Sequence, residues 1–377
     1  MSGAGPGRRL TRHPVPARAG LPNAARPSPA MSEPVVDLRS DTLTKPTPAM
    51  RRAMMAAEVG DDVWGEDPNV NALQEESAAL LGKEAALYVP SGTMANLVSV
   101  KAHTQPGDEV IIHPLSHTVR YESAGGAMVA GVQWRPLGNA DGTLPLAEVE
   151  AAIYQGDNPH FAPTRLICLE NTHNALGGTV LPLASLDALA ALARAKGLPM
   201  HLDGARLLNA AVALDVQATR IAAAFDSTSL CFSKGLGAPV GSIVAGSRAF
   251  IARCTRFRKM FGGGMRQAGF MAAAARYALR HHVTRLAEDH EHARRLAAAI
   301  ADEPHLELIY GMPQTNIVFF RCTHPQRSMA ELAEGLKARG VLIGPTGPDA
   351  ARAVTHLDVD GAGIERAIAA LHAVLKG

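Results

Sequence analysis

The chain has 377 residues, 47% of them hydrophobic and 19% charged, a length and composition suited to roughly two cored domains. Its formal net charge is +2, but Arg8, Arg9, Arg12, Arg18 and Arg26 fall in the first thirty residues without an acid; taking them away leaves 32 basic against 35 acidic residues. That balance excludes a nucleic-acid footprint, and no apolar run approaches the length of a membrane span, so the sequence reads as a soluble protein with neither partner.

Residues 1–30 are rich in Pro, Gly, Ala and Arg without apolar periodicity, and are expected to be disordered, with Met31 as a plausible start. They lack the apolar stretch of a secretory signal and the serine content of a transit peptide. From Val35 onward helical and strand patterns alternate. Helices are expected at Pro48–Ala57, Pro68–Leu81, Thr93–His103, Leu186–Lys196 and Ala218–Ala224, several opening with proline or a small polar residue. Between them lie the short apolar runs "AALYVP", "EVIIHP", "VQWRPL", "RLICLEN", "PMHLDGA", "STSLCFSK" and "GSIVAG". This alternation predicts an α/β fold whose sheet is mostly parallel and covered on both faces. After Gly264 the pattern changes to one long helix, about Gln267 to Ile300, then "LELIY", "NIVFFRC", a helix near Met329–Arg339, a strand "RAVTHLDV" and a closing helix from Ile364. The expected division is a large domain over 31–275 and a smaller α+β domain over 276–377. Cys168, Cys231, Cys254 and Cys322 are scattered, form no C-x-x-C pair, and fit a reduced, cytoplasmic protein.

Chemistry is concentrated where strands end. Lys234 follows the strand "STSLCFS" and precedes "GLGAPVG", which places an amine at the carboxyl edge of the sheet, where α/β folds bind ligands. An amine taken out of water is suited to Schiff-base chemistry, and the natural partner is pyridoxal phosphate (PLP). That cofactor needs a carboxylate for its pyridinium nitrogen and backbone N–H groups or cations for its phosphate. Asp203 in "HLDGAR" is the carboxylate candidate, although an aspartate there also reads as a helix cap. Ser91, Gly92 and Thr93 in "VPSGTMANL" stand at a helix start and are the phosphate candidates, joined by the basic, glycine-rich "FRKMFGGGMRQAG". Pro239 sits where the helix of a dinucleotide turn would continue, which argues against a nicotinamide site. In "HHVTRLAEDHEH" no ligand set converges, so no metal is expected and the histidines read as a solvated helix face.

The motifs "VVDLRSDTLTKPTPAM", "GDDVWGEDPNVNALQE", "PSGTMANL", "LENTHN", "HLDGARLLNA", "SKGLGAPVGS", "RKMFGGGMRQAG" and "VTHLDV" occur in this order. Together they resemble the low-specificity L-threonine aldolases, a family of fold type I PLP enzymes with the aspartate-aminotransferase (PLP-dependent transferase-like) fold. The resemblance implies cleavage of L-threonine and L-allo-threonine to glycine and an aldehyde, with a β-eliminating lyase or racemase of the same fold as the alternative. It implies Lys234 as the Schiff-base lysine, Asp203 as the partner of the ring nitrogen, His117 stacked on the ring and His173 near the substrate hydroxyl. Arg206 would meet the phenolate oxygen or the substrate carboxylate, and Ser40 and Arg352 would hold that carboxylate. Ser91, Gly92, Thr93 and, from a neighbouring subunit, Lys259 and Arg266 would bind phosphate, in a homodimer or homotetramer with shared sites. Relatives usually carry "DDVYG" where this chain has "DDVWG", so Trp64 stands where a substrate-contacting tyrosine is expected.

Overall fold

The computed structural model describes residues 34–376. The expected disorder of residues 1–30 and the start at Met31 lie outside them.

The seven apolar runs become one seven-stranded sheet in the order Ala85–Val89, Ser242–Gly246, Ser227–Cys231, Met200–Asp203, Thr164–Glu170, Glu109–Ile112, Gln133–Pro136. Ser242–Gly246 runs antiparallel to both neighbours, and every other pairing is parallel. The strands Met200–Asp203, Ser227–Cys231 and Ser242–Gly246 are buried at every position, as strands covered on both faces must be. One face packs Leu169, Leu202, Leu230 and Ile243 against Leu186 and Leu189; the other packs Val110, Ile112 and Leu166 against Ala130 and Val132.

Helix boundaries follow their caps. Asp67 accepts from the N–H groups of Asn69 and Val70 at 3.1 and 3.0 Å, Pro68 fills the first helical position, and Gly82 closes Pro68–Leu81 at φ 63°. Ser91 accepts from Met94 N–H at 3.2 Å and opens the helix Gly92–His103.

Three expectations change. The long helix is two, Gly269–His281 and Leu286–Ala301, because the β-branched pair Val283 and Thr284 follows a turn anchored elsewhere: His282 Nδ1 lies 2.7 Å from Leu236 O, in the loop after Lys234. The strand "RAVTHLDV" stops at Val354, since Thr355 turns inward to donate its hydroxyl to Asp289 O at 2.6 Å and His356 Nε2 meets Asp37 O at 2.7 Å. A helix at Arg248–Met260 was hidden by its arginines, although Phe250, Ile251, Cys254 and the aliphatic stem of Arg258 form its buried stripe. Nor is "HHVTRLAEDHEH" simply a solvated face: His282 and His290 are buried, and His290 bonds Asn209 at 3.2 Å.

A second, antiparallel sheet has the order Gly344–Pro345, Ala350–Val354, Ile317–Cys322, Leu306–Leu308. Its core joins Phe320 and Ala353 to Leu296, Ile300, Leu332, Leu336, Ile364 and Leu371. Arg352 lies on this sheet, and the pairing Phe319↔Arg352 fixes its register.

Candidate active site

The parallel strands end together. Glu170 and Asp203 are register partners and the last residues of their strands, and Lys234 follows Cys231 on the next strand. The turn carrying Lys234 is held through its own carbonyl, which accepts from Thr44 Oγ1 at 2.9 Å and from Gly237 N–H at 2.8 Å. Gly237 takes φ 78°, where a side chain would be strained. Lys234 is half-buried, and its Nζ lies 3.7 Å from Cys231 Sγ, with no carboxylate partner among the described residues.

Asp203 is 5% exposed, accepts from Asn96 Nδ2 at 2.7 Å and Ala205 N–H at 3.1 Å, and has no ion-pair partner among the described residues. It does not cap the next helix, which starts at Leu207 after Arg206. Two further buried carboxylates adjoin it. Glu122 lies 2.8 Å from His117 Nδ1, and the ligand atoms of His117, Glu122 and Asp203 lie within 4.8 Å of one another. Glu170 accepts from the N–H groups of His117 at 2.6 Å and Asn174 at 2.8 Å, and so pins two active-edge loops at once. Burial first, and then the charge of Asp203, pushes the Glu170 carboxyl up. For His117 burial acts downward, but the bond to Glu122 and the charge of Asp203 outweigh it and raise the imidazole. Burial pushes the Glu122 carboxyl up as well; when it is ionised it only accepts, and the neutral form of His117 then carries its proton on Nδ1 and has its lone pair on Nε2.

A cavity of about 660 Å³ opens here, lined by Ser40, His117, Asn174, Arg206, Lys234 and Arg352, with Leu115, Tyr121, Ile309, Tyr310 and Phe319 as an apolar wall. A groove of about 730 Å³ elsewhere has only Asp215 as a titratable group, so size alone does not locate the chemistry. The two arginines differ in what holds them. Arg206 is buried and grips Asp41 through Nε and Nη2 at 2.6 and 2.7 Å, which keeps the Asp41 carboxyl ionised far below the usual range against the cost of burial. Asn174 Oδ1 accepts from both guanidiniums, each Nη1 at 3.1 Å. Among the described residues Arg352 has, besides that amide, only Arg39 O at 3.3 Å, so of the two it is the guanidinium that lacks a carboxylate there.

At the other end, a Cβ on Gly92 would come within 2.7 Å of Cys231 Sγ, so the glycine lets the helix N-terminus close on the strand that leads to Lys234. Ser91 and Thr93 flank it, both exposed. The residues therefore fit PLP on structural grounds: a lysine and a buried aspartate without counter-ions, and a glycine-lined helix start beside them.

Other expected residues lie elsewhere. His173 is fully buried and does not line the cavity. His113 Nδ1 accepts from Leu115 N–H at 3.1 Å, so the 3.1 Å contact from His173 requires its Nε2 to donate and leaves Nδ1 bare and unpartnered. Burial, then the neighbouring His113, lowers the His173 pKa to about 3. Trp64, Lys259 and Arg266 are exposed and apart from this cavity, with Arg266 paired to Asp61 at 2.8 Å. Glu122, Glu170, Asn174, Asp41 and Asn96 belong to the site's framework and were not anticipated, although "ENTHN" and "RSDT" contain three of them.

A beta-eliminating lyase family model matches residues 37–325. The low specificity L-threonine aldolase of Escherichia coli (strain K12) is 47% identical over 326 residues, 86% of this chain and 95% of that one. Low-specificity L-threonine aldolase 1 of Arabidopsis thaliana is 45% identical over 312 residues, 82% of this chain and 87% of that one. The fold is similar to that of Leishmania major threonine aldolase, with a TM-score of 0.77 at 20% identity, covering 90% of this chain and 99% of that one.

Proposed function

The chain belongs to the low-specificity L-threonine aldolase family of fold type I PLP-dependent lyases, and on that premise we propose that it cleaves L-threonine and L-allo-threonine reversibly to glycine and acetaldehyde. Related β-hydroxy-α-amino acids are further substrates. One observation carries this reading: the cavity is lined by an amine and by a guanidinium with no carboxylate partner among the described residues, and behind its His117 lies a buried carboxylate, Asp203, with no ion-pair partner among them. A cofactor-bound amino acid supplies the complement of each.

PLP, when bound, supplies an aldehyde that condenses with amines and a protonated ring that takes up the electron pair of the breaking Cα–Cβ bond. Lys234 Nζ would hold the cofactor through its aldehyde. Asp203 keeps the ring nitrogen protonated. Ser91, Gly92 and Thr93 hold the phosphate, and Lys259 and Arg266 reach the phosphate of a neighbouring subunit, into whose site Trp64 also projects, in a homodimer or homotetramer. Arg352 and Ser40 fix the substrate carboxylate, with Arg206 held by Asp41 as the second cation and Asn174 keeping the two guanidiniums in register. Fixing the carboxylate would orient the bonds at Cα and so select which of them breaks. His117, which lines the cavity with Nε2 bare, is the base that takes the β-hydroxyl proton; His173 is the second candidate, and kcat for the two alanine variants ranks them.

In the same reading residues 31–275 form the large cofactor domain and 276–377 the small domain that brings Arg352 to the cavity. A cytoplasmic location fits the four buried, unpaired cysteines; among the described residues no helix is long and apolar enough to cross a membrane.

The carboxylate assignment is tested by Arg352→Ala. Losing a charge-assisted contact of about 1.5–3 kcal/mol should raise KM by about 10- to 100-fold for every amino-acid substrate while kcat changes little. An unchanged KM would move the carboxylate elsewhere. Product analysis separates the aldolase from a β-eliminating lyase, which would release ammonia and a keto acid.

A further inference from the structure

Asn96 sits inside the helix Gly92–His103 at 2% exposure, between fully buried Ala95 and Val98. Asparagine is a poor choice there, because its amide competes with the helix's own hydrogen bonds. Its contacts give the reason. Nδ2 lies 2.7 Å from Asp203 Oδ2 and 2.9 Å from Glu122 Oε1, so one amide group is shared between two buried carboxylates. Carboxylates accept, which fixes the amide's orientation and turns Oδ1 toward donors. Those donors are Ser229 Oγ at 3.3 Å and His201 Nε2 at 3.4 Å.

The orientation propagates. With its proton on Nε2, His201 must accept at Nδ1, from Ser227 Oγ at 2.8 Å. Ser227 then accepts from His103 Nε2 at 2.7 Å. Burial above all keeps both imidazoles neutral, lowering His103 to about 3 and His201 to about 4. Every hydrogen bond in this chain therefore points toward Asp203 and Glu122, and none of its members carries a charge that would cancel theirs.

We propose that Asn96 is a positioning residue for the reaction, orienting the carboxylate of Asp203 toward the ring nitrogen and that of Glu122 toward His117. The inference rests on the functional reading above. Asn96 does not line the cavity, so it acts through those two acids rather than on the substrate. Removing it leaves two adjacent carboxylates without their common donor, which disturbs the ring nitrogen's partner and the tautomer of His117 together.

The test uses the full chain, purified and stripped of cofactor, with Asn96→Ala. Because two charge-assisted bonds are lost, the PLP dissociation constant, read by absorbance titration, should rise by about tenfold and kcat on L-threonine should fall by about 10- to 100-fold, with KM within about threefold. If Asn96→Ala does not fold, Asn96→Ser, which keeps one short donor, should show the same split with smaller losses. PLP affinity and kcat at the wild-type level would overturn the proposal, as would equal losses in kcat and in affinity for substrate accompanied by a lower melting temperature, which would make Asn96 a packing residue. If the unmutated protein neither binds PLP nor cleaves L-threonine, the functional reading fails instead, so the two failures are told apart.

Discussion

Replacing Lys234 with alanine should remove the visible absorbance of the bound cofactor and lower L-threonine turnover by about a thousandfold or more, the scale expected when a covalent-catalysis residue is lost. Strand Ser227–Cys231 delivers the residue to the active edge, and Thr44 and Gly237 clamp its carbonyl there. Charge alone does not meet the requirement: Lys234→Arg keeps a cation but cannot form an imine, and should be as inactive as the alanine variant. A small exogenous amine should restore part of the rate to Lys234→Ala and none to Lys234→Arg, in which the side chain still fills the space. Turnover by either variant near the wild-type rate would remove Lys234 from the chemistry.

Asp203→Asn should leave the protein folded and able to bind PLP while cutting kcat by about 100- to 10,000-fold, because a neutral amide cannot hold the proton that makes the ring an electron sink. The change is nearly isosteric, so the contacts to Asn96 and Ala205 are perturbed in chemistry rather than in space. Asp203→Ala opens room at the same place. Loaded with PLP methylated at its ring nitrogen, whose charge needs no partner to persist, that variant should regain activity that ordinary PLP does not give it. A near-normal kcat in Asp203→Asn, or no gain from the methylated cofactor, would take the aspartate out of this role.

Strand-end residues were the legible part of the site. Lys234 and Asp203 announce themselves because a charged residue that closes an apolar run must lie where the sheet meets solvent or ligand. The sheet itself was legible for the same reason, since its inner strands are short apolar runs flanked by turns, while the edge strand Gln133–Pro136 is largely exposed. What escaped depends on partners far away in the chain. Asn96 and Asp203 are 107 positions apart, and Arg206 and Asp41 165 apart, so nothing local joins the two members of either pair. An asparagine inside an otherwise apolar stretch of helix is the local signal of the first pair. His173 was legible as a residue but not in its burial, nor in its contact with His113 from a different loop. The helix break at His282 was hidden too, because its anchor, Leu236 O, belongs to the Lys234 loop.

The most direct test of the central claim is to purify the protein with PLP, record its visible spectrum, and measure acetaldehyde and glycine formed from L-threonine. A cofactor band that shifts when glycine is added, together with equimolar glycine and acetaldehyde, is the predicted result. A protein that stays colourless with PLP, or one that turns threonine into ammonia and a keto acid, would contradict it.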